Sequence, residues 1–85
     1  QVASVQYRRD NGQFQYLFKD IGGDQWEEMS RIEMFRRLGA LKDRLGDELY
    51  IKIVIPDDSG LSYNEAWGFT KTVLSEFDYY YIEGW

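Results

Sequence analysis

The run Leu49-Tyr50-Ile51-Lys52-Ile53-Val54-Ile55, with the residues that follow it, constrains this chain more than any other stretch. Leu49, Ile51, Ile53 and Ile55 recur with period two, the mark of a strand with one buried face. Tyr50, Lys52 and Val54 share the other face, as in a sheet covered on one side only. Pro56 ends the strand, since it lacks the N–H that a ladder needs. Asp57-Asp58-Ser59-Gly60 then turns the chain. Ser62-Tyr63-Asn64-Glu65 is a capping box, in which Ser62 accepts from free helix N–H groups and Glu65 reaches back to the cap. From there the period changes to that of a helix. Ala66, Phe69, Thr70, Val73 and Phe77 form its apolar stripe, with Trp67 and Leu74 on the flank. The isoleucine row needs a helix above it, and the helix needs a sheet below.

Upstream, Ala3, Val5 and Tyr7 alternate with polar residues, as do Phe14, Tyr16 and Phe18. Asp10-Asn11-Gly12 lies between them, and Asn and Gly tolerate the positive φ of a tight turn, so residues 3–18 read as a hairpin. Lys19 to Gln25 reads as a loop. Its Gly22-Gly23 pair lacks the flanking pattern of a phosphate loop. Trp26 to Met29 reads as a first helical turn. Ser30-Arg31-Ile32-Glu33 is a second capping box, opening a helix to about Leu45 with Gly46 just past its end. Met34, Phe35, Leu38, Leu41 and Leu45 form its buried stripe, and Glu33 and Arg37 make an i,i+4 pair outside. Gly39 is read as permitting a close helix–sheet approach. Arg36, Arg37 and Arg44 read as a solvated face, with a site for an acidic partner as the minority reading. Asp78 to Ile82 reads as a last strand, with Glu83-Gly84-Trp85 as its frayed end.

The expected order is β-β-α-β-α-β. Its β-α-β units close by right-handed crossovers, which bring both helices to one face. The fold class is α+β: a two-layer α/β sandwich, with two helices on one face of a small mixed sheet. Eighty-five residues make one domain.

Composition narrows the chemistry. The chain has no Cys and no His, so thiol nucleophiles, disulfides, imidazole bases and thiolate or imidazole metal sites are excluded. Asp57 and Asp58 have no further loop ligand beside them, and turn chemistry accounts for them better than a cation does. No catalytic, cofactor or metal site is expected, and the chain is not expected to be an enzyme. Net charge is −5, and all of it falls in residues 53–85, where Lys71 stands alone against six acids. Such a half repels a nucleic-acid backbone, so no nucleic-acid partner is expected. The chain contains no apolar run long enough to span a membrane.

Most of the chain resembles the periplasmic domain of the ExbD/TolR family. Leu49–Ile55 is similar to that family's strand, and Asp57-Asp58-Ser59-Gly60-Leu61 to its acidic loop. Tyr63-Asn64-Glu65-Ala66 matches the helix opening Tyr-Gly-Glu-Val at Tyr63 and Glu65, so Asp57, Leu61, Tyr63 and Glu65 carry the motif. Weaker similarity covers Arg9-Asp10-Asn11-Gly12 and the first helix. The segment between hairpin and helix is longer than the family's, Glu76-Phe77-Asp78 replaces a family glycine, and Tyr79-Tyr80-Tyr81 is unusually aromatic. The resemblance implies a soluble part of a proton-motive-force-driven motor or transport component. It implies a periplasmic location and an inner-membrane anchor preceding Gln1. The implied partners are a second copy, a polytopic stator subunit, a force-transducing protein of the TonB or TolA kind and, for the TolR branch, the cell wall. The alternative is an unrelated ferredoxin-like interaction module of a larger protein. Independently of the family, the aromatic last strand is expected at a sheet edge. Tyr79, Tyr80, Tyr81, Ile82 and Trp85 are then the candidates for a homodimer or partner-strand interface.

Overall fold

The computed structural model describes residues 1–77 and 80–83. Strands β1 (Val2–Asp10) and β2 (Gln13–Lys19) form the expected hairpin, in register from Ser4–Lys19 to Asp10–Gln13. Asn11 at φ 51° and Gly12 at φ 77° make the turn, both left-handed, the conformation whose twist suits a two-residue hairpin.

Residues 27–29 differ from the sequence reading. They form a short strand, β3 (Glu27–Met29), antiparallel to β2, instead of a helical turn. Three residues are too few to reveal a period, and long-range pairing decides the conformation. Met29 sits opposite Tyr16 and packs against the core, while Glu27 meets Arg37.

Helix α1 (Arg31–Leu45) starts where expected, with Ser30 Oγ accepting from the Glu33 N–H at 3.1 Å. The capping box is only half made. Glu33 turns outward to Arg36 and Arg37 (2.9 and 3.2 Å), because two guanidiniums one turn on outbid a single backbone N–H. Met34, Leu38 and Leu41 are buried, with Phe35 and Leu45 at the margin. Gly39 approaches nothing. A Cβ there would find no atom within 4 Å, so the expected close approach is absent and the glycine only weakens the helix.

A short 3-10 turn (Gly46–Glu48) leads into β4 (Tyr50–Val54), parallel to β1. Helix α2 (Tyr63–Glu76) returns the chain to β5 (Tyr80–Glu83), parallel to β4 and extending through Glu83. The sheet is mixed and five-stranded, in the order β3-β2-β1-β4-β5. Register aligns Ala3 with Ile51 and Val5 with both Ile53 and Phe18, so one face of the sheet carries the core. Both helices bury their stripes in that one core, giving the two-layer α+β sandwich. The helices run side by side in the same direction. Phe35 lies near Phe69, and a turn or two later Lys42 reaches the Glu76 carbonyl. Burying each large aliphatic side chain contributes about 1.5–3 kcal/mol, so the Ile51/Ile53 row against Met34, Leu38 and Val73 is the main source of stability.

Phe69 is buried as the helical period requires. Its ring contacts on the sheet lie on β1 and β2, one and two strands across from the Ile51 and Ile53 of β4. It stacks on Tyr7 at 4.6 Å and tilts against Tyr16 and Phe35 at 6.1 and 6.4 Å.

Candidate functional site

The acidic joint between β4 and α2 is built as a fastener. Pro56 O accepts from the Ser59 N–H, and Ser59 O in turn accepts from the Arg9 N–H at 2.7 Å, which ties the joint to β1. Gly60, at φ +75°, lies so close to Arg9 that a Cβ would come within 3.2 Å of its carbonyl oxygen. Only glycine meets both demands at once. Ser62 and Glu65 complete their capping box (3.2 and 2.9 Å), and the Arg9 guanidinium donates to the second oxygen of Glu65. The Ser62 N–H foremost, then the Arg9 charge, holds the Glu65 carboxyl below its ordinary range. Burial, then the neighbouring Tyr16, pushes the Tyr7 phenol up to about 12. Of the motif residues, Glu65 is therefore clamped and Leu61 packs against the core, while Asp57 and Tyr63 face solvent, Tyr63 at 71% exposure. Asp57 and Asp58 are both exposed, and no three metal-ligating side chains converge among the described residues.

Strand β5 forms one edge of the sheet, bonded to β4 on one side only among the described residues. Register with Ile51 and Ile53 turns Tyr80 and Ile82 to the helix face, yet they are 40% and 38% exposed. The helix layer stops short of this edge. Phe69 and Glu76 mark the flank of α2 that touches α1, and helical spacing puts Trp67 and Leu74 on the opposite flank. Trp67 is 41% exposed. Of the interface residues read from the sequence, Tyr80 and Ile82 stand on this edge. Tyr81 occupies the register position opposite Lys52. Tyr79 and Trp85 lie outside the described residues.

A third feature, a cavity of about 270 Å3, opens where α1 crosses the end of β2. Arg36, Arg37 and Arg44 ring it, Phe18 and Leu41 form its floor, and Asp20 stands at one side. The sequence supplied these arginines as a solvated face. It held no signal that their flank of α1 overhangs Phe18, because that depends on how the helix crosses the sheet.

No protein-family profile matches the chain, and no curated protein or solved structure is significantly similar to it.

Proposed function

We propose that this domain is non-enzymatic and works through protein–protein contact, joining the β5 edge of one copy to the β5 edge of a second. The observation that carries this reading is the position of β5, bonded to β4 on one side only among the described residues, with Tyr80 and Ile82 part-exposed on it. An unpaired edge is a template for another strand, and tyrosine is favoured at the centre of interfaces. A second copy fits the register. Antiparallel pairing about a twofold axis at Tyr81 sets Tyr80 of one copy opposite Ile82 of the other, twice, on the helix face. Both helix layers then fall on the same side of one continuous sheet.

The resemblance to ExbD/TolR periplasmic domains extends the proposal. On that reading the domain is tethered at the inner membrane, and a polytopic stator subunit and a TonB- or TolA-like protein are its partners. The strand–acidic joint–helix unit and the motif match at Tyr63 and Glu65 support it. Tethering raises effective concentration, so the isolated domain is expected to dimerise weakly.

Analytical ultracentrifugation at rising concentration tests the edge. The wild type should shift towards dimer, and Tyr80→Lys and Ile82→Lys should stay monomeric with an unchanged circular dichroism spectrum. A wild type that remains monomeric into the millimolar range removes the proposal. Variants that dimerise equally well put the interface elsewhere. The family reading fails if the parent chain carries no single membrane-spanning helix ahead of Gln1.

A further inference from the structure

The cavity over β2 and α1 lies across the sheet from β5 and is independent of it. Its floor is apolar: Phe18 and Leu41 are buried members of the core. Its rim is cationic, but the three guanidiniums are not equivalent. Arg37 donates to Glu33 (3.2 Å) and to both oxygens of Glu27 (3.2 and 3.4 Å), and lies 6.0 Å over the Phe18 ring, so it is neutralised and fixed. Arg36 pairs with Glu33 at 2.9 Å. Arg44 stands seven residues beyond Arg37, on the same flank two turns on. Among the described residues it has neither ion pair nor hydrogen bond.

With Glu27 and Glu33 answering Arg36 and Arg37, Arg44 is the cation left to meet a ligand. Asp20, whose carboxylate accepts from the Ile21 N–H at 2.8 Å, stands at the wall and repels a second negative charge. The cavity is slightly smaller than the roughly 300–1,000 Å3 of drug-sized pockets. It therefore suits a monoanion with an apolar body of about the size of a leucine or phenyl group. We propose that this cavity binds a single carboxylate carried by a small apolar group. Arg44 pairs with the carboxylate, and Phe18 and Leu41 seat the apolar part.

Such a carboxylate could come from a free organic acid or from the C-terminal residue of a peptide. Benzoate probes the first source and N-acetyl-leucine the second, with N-acetyl-leucinamide as the uncharged control. In two-dimensional amide NMR, at least one acid should shift residues 18–20 and 36–44 saturably, with a dissociation constant on the order of millimolar. Tighter binding of benzoate assigns a free acid, and tighter binding of N-acetyl-leucine assigns a peptide end. Either supports the site. Arg44→Gln should weaken binding roughly tenfold, or about 1.4 kcal/mol, and lower the thermal midpoint by a few degrees at most, since among the described residues the side chain makes no ion pair or hydrogen bond and gives up only its attraction to the end of α1. Absence of saturable shifts with both acids, equal binding of N-acetyl-leucinamide, or equal binding by Arg44→Gln overturns the proposal.

Discussion

Replacing Phe69 by alanine should remove a third or more of the stability of this domain. The ring is 3% exposed and stacks on Tyr7 at 4.6 Å with 21° between planes. It also tilts against Tyr16 and Phe35, so three aromatic contacts converge on one side chain. Truncating a buried Phe to Ala costs about 3–5 kcal/mol in all, the lost ring contacts included. Alanine's better helix propensity returns only a few tenths of a kcal/mol. A loss of about 4 kcal/mol is therefore expected. A chain of 85 residues has a total stability on the order of 4–13 kcal/mol, so the variant sits near its threshold. Phe69→Leu keeps most of the volume and forfeits only the ring contacts, for a loss of about 1–2 kcal/mol. Urea melts followed by far-ultraviolet circular dichroism read both. The Leu variant should move the midpoint without changing the slope. The space vacated in Phe69→Ala should admit water to Tyr7 and bring its phenol down from about 12, as seen by ultraviolet titration. A cost below about 1 kcal/mol for Phe69→Ala would refute the packing argument and the phase assigned to α2.

Gly39→Ala should stabilise the domain by about 0.5–1 kcal/mol, because the added methyl meets nothing within 4 Å and the helix gains propensity; a destabilised urea midpoint would contradict this. Tyr7 binds its proton more tightly folded than unfolded, since its phenol rises from 10.0 to about 12. Its contribution is complete below about pH 10 and is lost as pH climbs to about 12, so Tyr7→Phe should lose less stability over that window in urea melts. Glu65 behaves oppositely. Its carboxyl is held down by the Ser62 N–H and by Arg9, so its contribution exists above the unfolded carboxyl's range and disappears as pH falls through the folded one. Glu65→Gln, which retains a side-chain acceptor at that position, should therefore show a smaller drop in urea midpoint than the wild type between about pH 7 and about pH 3.

The elements that carry their own period were legible in the sequence. Alternation fixed the phase of β1, β2 and β4, and the stripes of α1 and α2 came out on the faces the core uses, Thr70 included. Local hydrogen-bonding chemistry was legible as well: the Ser62–Glu65 box forms as written, and Asn11-Gly12 turns the hairpin. Such features depend on residues a few positions apart, and a short chain segment determines them by itself. Tertiary structure decided whatever depends on partners far along the chain. Residues 27–29 are a strand because β2 offers them an edge. Glu33 abandons its cap because Arg36 and Arg37 compete for it, and Arg37 is itself drawn across to Glu27. Arg9 reaches Glu65 and Ser59 across 56 and 50 positions only once β1 and β4 are paired, so the sequence showed a turn where the fold has a clamp. The open edge at Tyr80 and Ile82 and the arginine-ringed cavity over Phe18 have the same origin. Whether a face is covered depends on where the neighbouring layer ends, and the helix crossings that set that limit are written in no single stretch of sequence.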